Sequence, residues 1–141
     1  MMPNAKITAV CLAAAVLFVP ACRGKDPVAP ARKALAGYVA AVDAFAARAE
    51  KVTDPTAAAA AVETLVAELQ PVAAAIRSLG AEFPGLGDPA AAPERLKPDA
   101  AAADEAGGRL AAAMTKIMAW GDAPAVRTAV AKLAKIENLL K

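Results

Sequence analysis

Histidine is absent from this chain, serine occurs once, at Ser78, and cysteine twice, at Cys11 and Cys22. Without an imidazole there is no base for a histidine-dependent nucleophilic triad. The usual zinc, copper and haem ligand sets fail for the same reason, since they draw on histidine or on several thiolates. A serine-lysine pair would have to use Ser78, near the end of a helical segment and without an identifiable lysine partner. The acidic pairs Asp104 with Glu105 and Glu63 with Glu68 do not share a helix face, so they read as solvated surface and not as an acid and base held together. The chain therefore reads as a protein without catalytic residues, cofactor or metal.

Other shortages narrow the class further. Aromatic residues make up 4% of the chain, and β-branched runs suited to strands are missing. No glycine-rich phosphate loop follows a strand, because there is no credible strand for it to follow. No basic patch with interleaved aromatics is present, and acidic and basic residues alternate along the chain, which excludes an extended nucleic-acid surface. What is abundant is alanine, with 43 of the 141 residues. Alanine is the strongest helix former, so the fold class expected is all-α.

The one long apolar run, Ile7 to Val19, follows a short leader whose only charge is Lys6 and ends at Pro20-Ala21-Cys22. A bilayer core of about 30 Å needs about 20 apolar residues, more than this run supplies. It reads instead as the apolar region of an export signal spanning residues 1–21. Val19-Pro20-Ala21-Cys22 resembles the lipobox of bacterial lipoproteins, in which an aliphatic and a small residue precede an obligatory cysteine. The resemblance implies cleavage before Cys22, a thioether-linked diacylglyceryl group on its sulfur, and a lipid anchor in a bacterial membrane. Pro20 departs from the commonest pattern, and an ordinary secretory cleavage site is the competing reading. Cysteine use agrees with lipidation: Cys11 leaves with the signal, so Cys22 has no partner for a disulfide. Arg23, where enteric lipoproteins retained at the inner membrane carry aspartate, leans towards the outer membrane in a host that has one. Removing the signal leaves 15 basic and 14 acidic side chains. Residues 22–30, with Gly24, Pro27 and Pro30, read as a tether.

Residues 31–141 read as a small antiparallel bundle of about four helices. The first, about Pro30 to Thr53, carries Leu35, Tyr38, Val42, Phe45, Ala49 and Val52 at three-four spacing, a stripe for packing on other helices. Asp54-Pro55 caps and opens the second, which presents Val62, Leu65, Leu69, Val72, Ile76, Leu79 and Phe83 and carries Pro71 as a bend. Residues 84–98, rich in proline and glycine, form a long connection that Leu86 and Leu96 pin to the bundle. The third helix starts near Pro98 or Asp99, places Leu110, Met114 and Ile117 inward, and ends at Gly121. A break is expected at Gly107-Gly108, with a close backbone crossing as the alternative, since each glycine costs a helix about 1 kcal/mol. Asp122-Ala123-Pro124 opens the last helix, with Val126, Val130, Leu133, Ile136 and Leu140 on its buried face.

Two functions fit this reading. The first is an envelope lipoprotein anchored through Cys22 that acts as a non-catalytic interaction or structural module, meeting an envelope protein partner through the bundle or the 84–98 loop. The second is an exported bundle that binds a small apolar ligand near Tyr38, Met114, Met118 and Trp120.

Overall fold

The structure is a computed structural model that describes residues 26–140, and the signal, the lipobox and Cys22 lie outside the described residues. Four α-helices follow one another: α1 Ala29–Ala49, α2 Pro55–Leu79, α3 Lys97–Met118 and α4 Pro124–Leu140. A 3-10 turn, Glu94–Leu96, leads into α3. The fold is an all-α bundle, and no strand occurs among the described residues.

Local chemistry sets the helix starts. Pro30, Pro55, Pro98 and Pro124 all occupy the first turns of their helices, where a missing N–H leaves no hydrogen bond unmade. Asp54 is extended, at φ −154° and ψ 164°, and its Oδ1 accepts a hydrogen bond from Ala57 N at 2.8 Å, the N-cap geometry expected of it. Pro71 lies inside α2, on its exposed side, and the helix continues through it.

The boundaries differ from expectation at several places, α3 among them, which ends at Met118 and not at Gly121. α1 stops at Ala49 and not near Thr53, because the backbone tightens through bonds from Lys51 N to Arg48 O and Val52 N to Ala49 O and must be extended at Asp54 before Pro55. α2 stops at Leu79, after which Phe83 N bonds back to Leu79 O ahead of Pro84. Residues 26–30, expected in the tether, belong to the folded body, with Val28 buried and α1 starting at Ala29.

The expected break at Gly107-Gly108 is absent. α3 runs unbroken through both glycines, and no close crossing requires them: a Cβ on Gly108 would meet nothing within 4 Å, and one on Gly107 only Tyr38 Oη at 3.8 Å. The helical penalty, about 1 kcal/mol per glycine, is offset by burial on both sides of the pair, at Ala100, Ala103, Ala106, Leu110, Ala113 and Ile117. The inner line of α3 is thus built mainly of alanines.

Ion pairs show how the two hairpins stack. Arg32 reaches Asp99 at 3.4 Å, Asp43 reaches Arg109 at 2.8 Å, and Glu50 reaches Lys116, so residue numbers rise together and α3 runs parallel to α1. From the N-terminal end α1 carries plus, minus, minus, and α3 carries minus, plus, plus. Reversing α3 would set like charges opposite each other at the two ends of the ladder. On the other side α4 packs along α2, with Lys132 on Glu63 at 2.8 Å. α1 and α2 pack against each other as an antiparallel hairpin, with a fork-like pair between Arg48 and Glu68 at 3.2 and 2.6 Å. α3 and α4 are joined by a short turn yet approach each other only sparsely, so the axes stand in the order α3, α1, α2, α4.

One core runs through all four helices, centred on Val42, Phe45, Val62, Leu65, Leu69, Ile117 and Val126, each fully buried. α2 is long and apolar enough, by composition alone, to cross a membrane, but here it lies between α1 and α4. A second cluster closes the end where α1 and α3 begin: Val28, Ala31, Leu35 and Ala103 pack with Phe83, Leu86 and Leu96 from the connection. Leu86 and Leu96 thus pin it as expected. Its tight point is Gly85, at φ 74°, where a Cβ would sit 2.6 Å from Ala91 Cβ.

Glu68 is an exception among surface acids. Its carboxylate takes both terminal nitrogens of Arg48, whose Nε is buried without a partner. Glu68→Ala should therefore lower stability by about 1 kcal/mol, near the upper limit for partly exposed pairs, measured by urea unfolding. A change indistinguishable from zero would show that the fork contributes nothing.

Candidate functional site

The helix order leaves a seam between α3 and α4, and near the connection this seam opens into a cavity of about 220 Å³. Leu35 and Tyr38 of α1, Ile76 of α2, Ala103, Asp104 and Gly107 of α3, and Leu140 of α4 line it. All four helices contribute because α3 pairs with α1 at an offset of 66 or 67 residues, which places Asp104 beside Tyr38. Gly107 lies one turn further along α3, next to the Tyr38 hydroxyl.

Tyr38 is half-buried, and its hydroxyl makes no hydrogen bond to another described residue. Burial pushes its phenol above the ordinary value of about 10, and the negative charges of Glu137 and Asp104 push it further the same way. Neither carboxylate forms an ion pair among the described residues. Two cations of the flanking helices are engaged elsewhere: Arg32 with Asp26 and Asp99, and Arg109 with Asp43.

Tyr38 is the only tyrosine in the chain, so its titration can be followed by near-ultraviolet absorbance. It should ionise at a higher pH folded than unfolded in urea, and Asp104→Asn should bring the two closer. The folded state holds the phenolic proton more tightly, so its contribution to stability is constant below about pH 10 and declines as pH rises beyond that. Coincident titrations in the two states would contradict the burial and the charge placement.

The expected ligand pocket near Tyr38, Met114, Met118 and Trp120 is not assembled. Trp120 lies thirteen residues beyond Gly107, about 20 Å away at 1.5 Å per residue if the helical rise is extended. Met114 and Trp120 are half-buried against the main core, and Met118 is exposed and folds over Gly121, where a Cβ would sit 2.9 Å from its Cε. Only Tyr38 of the four reaches the cavity.

Cys22 lies outside the described residues. The first described residue after it, Asp26, is firmly placed: it accepts from Val28 N at 3.1 Å and pairs with Arg32 at 3.0 Å and Arg95 at 3.6 Å. The hydrogen bond from the Val28 amide, then Arg95 and Arg32, hold its carboxyl below the usual aspartate range against a partial opposing effect of desolvation. Among the described residues no group of three or more acids or cysteines is arranged to hold a metal ion.

Asp104, Gly107 and Glu137 were not legible as a site. The available signal was the recurrence of opposite charges 66 or 67 residues apart, at 32 and 99, 43 and 109, and 50 and 116, which aligns Tyr38 with Asp104. Comparison with family models, with curated proteins and with solved structures yields no match.

Proposed function

We propose that the chain is an envelope lipoprotein, anchored through Cys22, whose helical bundle acts by binding and not by turnover. The observation that carries this reading is Val19-Pro20-Ala21-Cys22 behind an apolar run too short to span a bilayer. Two acyl chains hold a protein to a bilayer stably where one does so marginally, at about 0.8 kcal/mol per buried methylene.

The placement of Asp26 refines the arrangement. Asp26 lies four residues after Cys22, and an extended chain covers at most about 3.6 Å per residue, so Cys22 stands no more than about 15 Å from it. The end of the bundle that holds the starts of α1 and α3 and the 80–96 connection then lies next to the membrane. The turns at 50–54 and 119–123 point away from it. This moves the proposed protein-partner surface from the connection, which is pinned and membrane-proximal, to the flanks and the far end.

Fractionation tests the anchor directly. The wild-type chain should sediment with membranes, incorporate labelled palmitate and begin at a modified Cys22, whereas Cys22→Ser should be released in soluble form. Retention of the serine variant in membranes, or an intact mass with unmodified Cys22, would refute the reading.

A further inference from the structure

The Tyr38 cavity has features that packing does not explain. Gly107 and Gly108 weaken α3 by about 1 kcal/mol each, yet neither is required for close approach to a neighbour. Local rules broken without a packing return point to a site. Here the result is space: the absent side chain of Gly107 keeps the cavity open beside the Tyr38 hydroxyl.

The lining specifies what would fill that space. Leu35, Ile76, Ala103 and Leu140 give an apolar wall, suited to a short hydrocarbon body. Tyr38 adds an aromatic ring and a phenol oxygen free of other described residues, Asp104 lines the cavity from α3, and Glu137 of α4, outside the lining, adds a second negative charge within electrostatic reach of the hydroxyl. An anion would be repelled, and a neutral molecule would gain nothing from either charge. A cation gains from both carboxylates and from the ring, and partial exclusion of water strengthens each attraction. Arg77 lines a neighbouring depression in the company of Asp88.

We propose that this cavity is a binding site for a small organic ammonium ion, a molecule with one protonated amine and a short apolar body. The amine lies between Asp104 and Glu137 and donates to the Tyr38 hydroxyl oxygen, while its body rests on Leu35, Ile76 and Leu140. The cavity of about 220 Å³ matches a small ligand in size. The site does not depend on lipidation, so it can fail while the anchor stands, and the reverse.

Calorimetric titration of the full chain in a non-ionic detergent, with n-butylammonium as probe, decides the matter. 1-Butanol and butyrate serve as neutral and anionic controls, and the ring signals of the single tyrosine report the location by NMR. Butylammonium should bind saturably and shift the Tyr38 ring, with butanol weaker by about tenfold or more and butyrate not binding. Asp104→Asn combined with Glu137→Gln should weaken binding by about tenfold without loss of helical signal, since both side chains reach solvent. Gly107→Leu should abolish binding by filling the cavity while raising helix propensity. Equal binding of butanol and butylammonium, an unmoved Tyr38 ring at saturation, an unchanged affinity in the double amide variant, or no saturable binding of butylammonium would each overturn the proposal.

Discussion

Leu69→Ala is expected to lower the stability of the folded chain by about 2 to 5 kcal/mol, a large share of the roughly 5 to 15 kcal/mol available to a domain. Leu69 is fully buried on α2, in the core shared by all four helices. Removing its branched end loses the transfer free energy of the deleted carbons and leaves a cavity that rigid helices close only in part. α2 packs on α1 at one side and α4 at the other, so neither neighbour can move in without giving up its opposite contacts. The control deletes the same atoms at Leu139, which is 45% exposed, and should cost well under half as much. Urea unfolding with unchanged slope measures both. Equal losses would place the core elsewhere.

The second large effect concerns alanine. Ala106→Leu should destabilise by about 1 to 3 kcal/mol through overpacking, whereas Ala102→Leu should change stability by about 0.5 kcal/mol or less. Both residues lie on α3, four positions apart, and both substitutions exchange a good helix former for another. Ala106 has no exposed surface and packs in the shared core, while Ala102 faces solvent. If the two variants melt at the same temperature, the alanine line of α3 is loose enough to accept bulk, and α3 is not closely packed on its neighbours.

These two substitutions show why parts of the molecule were readable and others were not. The stripes of α1, α2 and α4 stood out because leucine, valine, isoleucine and phenylalanine at three-four spacing mark a face whatever lies opposite. On α3 the same face is drawn largely in alanine, which also fills its exposed side at 101, 102, 111 and 112. Periodicity cannot be read from a residue used on both faces. The ligand pocket was misplaced for a related reason: Met114, Met118 and Trp120 are the large apolar residues at the end of α3, but the space lies where side chains are small, beside Gly107. At Gly107-Gly108 helix propensity favours a break, and burial on both sides of the pair outweighs it.

The sequence by itself determined the features that depend on a few neighbouring residues. Proline and aspartate at 54, 55, 98 and 124 set helix starts through local sterics and capping, and alanine content set the class. The expected export signal and lipid anchor rest on local pattern as well. Only the tertiary structure decided that α3 runs parallel to α1, which alanines are buried, and that Tyr38, Asp104 and Gly107 line one cavity with the charge of Glu137 in reach of the phenol. Those features depend on charges and methyl groups more than sixty residues apart. Each pair is worth about 1 kcal/mol or less at the surface, so no one of them announces the arrangement, and they take effect together once the larger stripes have brought the helices side by side.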